Sequence, residues 1–210
     1  MKFGLYLFLA LTLLGFSLAS KANQNFEDLI DITISNGKAI ALIEAERSST
    51  IKLRPKEQIL WESSKGSIGA VLTTNRFLAI SISSSNWHEL SVSSNELDNP
   101  IVSISQNIAV LVTEDRAIGF VAGLKHFIEK RMPINENVQV VEAGENVAVI
   151  VTSSNIFSFA KDPAIFRDIR LHVGEKVERT KVTLNKVTIT TSDRLLTFSS
   201  KSKSWKEYRL

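Results

Sequence analysis

The chain has 210 residues, enough for one domain or slightly more, and its 44% apolar content can bury a substantial core. Its 25 basic residues nearly balance 22 acidic ones, which speaks against a nucleic-acid binder with a concentrated basic excess and against a disordered, highly charged tail. No cysteine is present, so disulfides, thiol nucleophiles and a lipid-modified cysteine are all excluded and the fold must stand on packing alone.

Residues 1–20 read MKFGLYLFLALTLLGFSLAS, with Lys2 ahead of a mainly apolar run and small residues after it. This is the pattern of a secretory signal peptide. Cleavage is expected near residues 19–22, read either from Ser17 and Ala19 or from Ser20 and Ala22. A retained membrane anchor is the competing reading, but the run is slightly short of the about 20 apolar residues that span a bilayer. The expectation is an exported protein, bacterial periplasmic or extracellular. Its mature part, 21–210, forms one domain with no stable membrane span, and loss of Lys2 lowers the formal charge from +3 to +2.

Next comes FEDLIDITIS (26–35), an extended segment, and then a rhythm. Short apolar runs rich in β-branched residues occur at 39–45 (AIALIEA), 68–74 (IGAVLTT), 107–113 (NIAVLVT), 146–152 (NVAVIVT) and 186–192 (KVTITTS). Thr74, Thr113, Thr152 and Thr191 lie 39 residues apart. Each run is too short for a helix and reads as a strand covered on both faces. A polar turn follows (Asn75-Arg76, Asp115-Arg116, Ser154-Asn155, Asp193-Arg194), then a second strand with a small central residue, as in Ile118-Gly119-Phe120. That small residue lets a neighbouring sheet approach closely.

The third strand carries an aromatic, then an acid two residues on: Trp87 and Glu89, Phe127 and Glu129, Phe166 and Asp168, Trp205 and Glu207. Period-two alternation puts both on one face, together with Arg131, Arg170 or Arg209. A fourth strand, such as VQVVEA (138–143), closes the cycle.

Four strands in about 39 residues make one β-propeller blade. Counting first strands predicts five blades. Ala45 to Thr74 is only 29 residues, so the first blade is expected to be irregular. The chain stops after a third strand and begins with an extended segment, so the N-terminal strand is expected to pair into the last blade and close the ring. The predicted fold is therefore all-β, a closed five-bladed propeller. A three-fold trefoil barrel does not fit the count, and a β-sandwich leaves the spacing unexplained.

The aromatic-x-acid strand and the Asp-Arg turn resemble the structural polar networks of WD-type blades. The Gly-His…Trp-Asp signature of that family and the double glycines of kelch repeats are missing. The resemblance implies a propeller fold and no particular activity.

Candidate residues divide by recurrence. Glu89, Glu129, Asp168 and Glu207, the turn arginines Arg76, Arg116 and Arg194, and the aromatics Trp87, Phe127, Phe166 and Trp205 recur once per blade, so each reads as a structural position. A salt bridge or a carbonyl cap is expected of the charged ones and blade-to-blade packing of the aromatics. No catalytic residue is assigned. No metal site or cofactor is expected, because His88, His126 and His172 fall at different repeat positions without His-x-x-x-His spacing. Lys38, Lys65, Lys125, His126, Lys161, Lys201 and Lys203, with Arg54 and Lys56, are expected to share one end of the blades as a basic binding face. Glu44, Glu46, Glu96, Asp98, Glu114, Asp115, Glu136 and Glu175 are expected at the other.

These readings favour a monomeric, non-catalytic binding or scaffold propeller for a protein or glycan partner, including an anionic one. The alternatives are a glycosidase with its site at the channel mouth, which needs two non-repeated acids in one cavity, and a subunit of an envelope assembly.

Overall fold

The computed structural model describes residues 28–44, 47–134, 136–201 and 204–210. The expected signal peptide at residues 1–20, Phe26, Glu27, Glu46 and Lys203 lie outside these residues.

Nineteen strands form five antiparallel sheets, with no α-helix among the described residues. The first sheet is β1 (Ile30–Ser35), β2 (Lys38–Ile43) and β3 (Arg47–Lys52). The second is β4 (Ile59–Lys65), β5 (Ile68–Thr73), β6 (Arg76–Ser81) and β7 (His88–Ser91). The third is β8 (Ile101–Ile104), β9 (Ile108–Val112), β10 (Arg116–Val121) and β11 (Ile128–Arg131). The fourth is β12 (Val138–Ala143), β13 (Val147–Thr152), β14 (Asn155–Ala160) and β15 (Ile165–Arg170). The fifth is β16 (Val177–Val182), β17 (Lys186–Thr191), β18 (Arg194–Ser199) and β19 (Trp205–Arg209). Each sheet is a meander packed on the next, the arrangement of propeller blades, and the blade count agrees with the repeat count.

The phase of the repeat differs from the sequence reading. VQVVEA opens the fourth sheet as β12 and pairs with β13, so the runs from Ile68 onward are second strands of their blades, and AIALIEA, as β2, holds the third-strand position. The N-terminal strand does not complete the last blade. β1 pairs with β2, from Ile30↔Ile43 to Ser35↔Lys38, and the fifth sheet is complete with its own four strands. Calling the strands of a full blade a to d, the first sheet supplies b, c and d. The carbonyl of Lys52 at the end of β3 meets Arg76, as those of Ser91 and Arg170 at the ends of d strands meet Arg116 and Arg194. The first blade is therefore in register with the others rather than ten residues short.

The two end sheets differ from the middle ones for a reason readable in their side chains. Every residue of β5, β9 and β13 is buried, because sheets lie against both faces. β1 and β17 alternate instead: Ile30, Val187, Ile189 and Thr191 are buried, while Asp31 and Thr33 are exposed and Thr188 and Thr190 are half-buried. The five hydrophobic clusters each join consecutive sheets, and none of them joins the first to the fifth. The small central residue behaves as expected in the third blade. A Cβ on Gly119 would stand 2.5 Å from the ring of Phe159 in the fourth.

Candidate functional site

The a–b turns and c–d loops lie at one end of the blades, and the b–c turns and d–a linkers at the other, because the strands of each meander alternate in direction. The linker end carries a network built on one glutamate position of every complete blade, with an arginine partner in the second, third and fifth. An apolar residue directly follows the d strand (Leu53, Val92, Met132 or Leu171), and its amide donates to a carbonyl of the preceding b–c turn. Four residues later stands a glutamate: Glu57, Glu96, Glu136 or Glu175.

In the second blade Arg76 donates from Nε to Glu57 Oε1 at 2.9 Å and from a terminal nitrogen to Oε2 at 2.5 Å. It also grips Glu89 and reaches the carbonyl of Lys52 in the previous blade at 3.2 Å. The Thr73 hydroxyl and the amide of Arg54 donate to the same carboxylate, both at 2.6 Å. Arg194 repeats this with Glu175, Glu207 and the carbonyl of Arg170, joined by Thr191 and the amide of His172. Arg116 does so with Glu96, Glu129 and the carbonyl of Ser91. A planar guanidinium suits this task, since its five donors lie in a fixed fork.

Electrostatics follow from that geometry. Burial alone would raise the carboxyl pKa of Glu57 and Glu175, but the hydrogen bonds from arginine, threonine and backbone outweigh it and hold each at about 2. Glu96 is likewise lowered against its burial by Arg116 and by the Ser93 amide and hydroxyl. The bonds to Glu57 and Glu175 raise the pKa of Arg76 and Arg194, so these arginines stay charged.

The repeated aromatics face the preceding blade. Phe127 lies 5.4 Å from Phe77 of the second blade, and Phe166 joins a core cluster with third-blade residues while stacking at 4.5 Å on Phe159 of its own blade. The indole N–H groups of Trp87 and Trp205 donate to the carbonyls of Ser49 and Arg167. Asp168 pairs with Lys130 of the third blade at 2.8 Å.

Lys65, Lys125, His126, Lys161 and Lys201 fall at the same end of their respective blades, on an a–b turn and the c–d loops. Lys38 does not: it closes the β1–β2 turn at the other end, where the linker also puts Arg54 and Lys56. Glu44 is displaced in the opposite sense and stands at the lysine end, 3.5 Å from Arg47. The phase error explains all four. Glu57, Glu96 and Glu175 were missed as buried ion-pair partners. Their signal was the fixed spacing behind Leu53, Val92 and Leu171.

His172, Glu175 and Asp193 place possible ligand atoms within 4.8 Å of one another. Glu175 already accepts four bonds, from Arg194 twice, from Thr191 and from the His172 amide, which uses its lone-pair directions. That leaves two free ligands in the group, fewer than a structural or catalytic metal site uses.

No protein family model and no curated protein matches the chain. Among solved structures, human WBSCR16 is 9% identical, with a TM-score of 0.43 over 81% of this chain and 59% of that one. Yeast RCC1 (Prp20), solved bound to Kap60, is 9% identical, with a TM-score of 0.43 over 82% and 54%. PorZ, described as an essential surface component of the type-IX secretion system of Porphyromonas gingivalis, is 11% identical, with a TM-score of 0.43 over 87% and 27%. This chain spans less than two thirds of the length of each.

Proposed function

We propose that the chain is an exported, non-catalytic binding or scaffold propeller that meets an anionic protein or glycan on its a–b and c–d loops. The observation behind this reading is an asymmetry in how charge is used. The recurring acids Glu89, Glu129, Asp168 and Glu207 are held in ion pairs within the blade array. Lys65, Lys125, Lys161 and Lys201 enter no ion pair among the described residues, and Lys65, Lys125 and Lys201 are exposed. A cluster of unpaired cations on loops over a rigid scaffold steers an anionic partner and sets its orientation. Export is supported by the pattern of residues 1–20.

The test is charge reversal, Lys125→Glu with Lys161→Glu, followed by pull-down from envelope extract and a glycan array. The variant keeps the wild-type melting temperature and loses most of the captured partner. Equal capture by variant and wild type overturns the lysine face.

A further inference from the structure

The seam between the second and third blades holds a polar atom that nothing satisfies. His88 opens β7 and stands opposite Ala79 of β6. Its ring faces the third blade, 5.7 Å from the ring of Phe120, which packs in turn on Phe127. The imidazole Nε2 is shut off from solvent and has no hydrogen-bond partner among the described residues. In a neutral imidazole one nitrogen carries no proton, but in the charged form both nitrogens carry one and each needs an acceptor.

The charges around the ring have the wrong sign to hold that extra proton. Lys125 and His126 act on it from the third-blade loop 122–127. The strand β10 brings the apolar ring of Phe120, and β6 brings Ala79. On its own strand Glu89 points to the other face, where it grips Arg76. The loop before it, 82–87, has no ionisable side chain. Burial holds the His88 pKa below the ordinary 6.5, and the charges of Lys125 and His126 add to that, against a hydrogen bond to the Lys125 backbone.

We propose that His88 is an acid-operated latch: proton uptake on its ring loosens the seam between the second and third blades and frees the loop 122–127. The loosened form binds the proton more readily than the closed one. The seam is therefore tightest above pH 6.5 and weakens as pH falls through that value, before Glu57 and Glu175 begin to titrate near 4.5. The third blade supplies the contrast, since Ile128 stands opposite Gly119 as His88 stands opposite Ala79, and isoleucine has no charged form. The latch needs no partner, so it stands apart from the lysine face.

The experiment follows full-length protein from about pH 7.5 to about pH 5 by amide hydrogen exchange, corrected for the intrinsic pH dependence of exchange, with the imidazole signals tracked by NMR. In wild type, exchange across 122–127 accelerates by up to about tenfold one pH unit below 6.5. His88→Ile, which copies the third blade, keeps the loop closed throughout, and His126→Gln accelerates as wild type does. The His88 signal titrates with a midpoint below 6.5. Wild-type exchange that does not respond to pH, equal acceleration in His88→Ile, or a His88 midpoint at or above 6.5 overturns the latch. So does loss of the acceleration in His126→Gln, which assigns it to the neighbouring ring. The wild-type titration decides the matter even where His88→Ile fails to fold.

Discussion

Replacing Arg194 with methionine is the sharpest test of the repeated network. The substitution keeps an unbranched apolar stem but removes the guanidinium of a side chain that is 6% exposed and faces a Glu175 side chain that is fully buried. Glu175 keeps its Thr191 and backbone bonds and loses both charge-assisted ones. Stranding one member of a buried ion pair costs about 3–5 kcal/mol. The freed carbonyl of Arg170 adds about 1 kcal/mol. The half-exposed Glu207 adds little, since solvent screens it. With a urea m-value of about 2 kcal/mol/M, the unfolding midpoint falls by roughly 2 M. Glu175→Gln in the Arg194→Met background recovers part of the loss, because it removes the stranded charge, and the double-mutant cycle isolates the pair. A midpoint shift below about 0.5 M, or no recovery in the double variant, refutes the claim that this pair holds the blade.

Stability also depends on pH through Glu57 and Glu175. Their folded pKa of about 2 lies below the ordinary value of 4.5, so the unfolded chain binds more protons between these limits and stability falls as pH falls. The contribution is complete above pH 4.5 and is lost on acidification to about 2, at about 3 kcal/mol apiece as an upper figure. Urea midpoints measured from pH 6 to pH 2 show the decline, Glu57→Gln flattens it, and an unchanged slope in that variant contradicts the assignment. Gly119→Ala pushes a methyl group into the Phe159 ring and costs about 1–3 kcal/mol, read as a lowered melting temperature. Adding Phe159→Leu recovers part of that cost if the clash is its source, and no recovery assigns the cost elsewhere.

The blade count was legible because b and c strands such as NVAVIVT are apolar on both faces and return at a fixed interval. The phase was not, since VQVVEA contributes only half-buried and exposed positions and reads equally well as the last strand of one blade or the first of the next. The uncovered ends were legible and overlooked: Asp31, Thr33, Thr188 and Thr190 interrupt strands that are continuous in the middle blades. The recurring d-strand acids and turn arginines stood out by position, but their shared partner did not. Glu57, Glu96 and Glu175 lie outside the strands, and an acid in a linker reads as solvated until a buried arginine is seen beside it. The departure at Glu136 follows from the same lesson, because Pro133 and Asn155 mean something only against the residues their siblings carry.

The cross-blade ties made by the turn arginines and the indoles point one way. Arg76, Arg116 and Arg194, and the indoles of Trp87 and Trp205, each donate to a carbonyl contributed by the blade made before their own. For these five ties, a chain emerging from the ribosome can dock each newly made sector against acceptors already in place. Deleting the first sector orphans Arg76 and Trp87 in the second, whereas deleting the fifth orphans the two amide donors of Asn146 in the fourth.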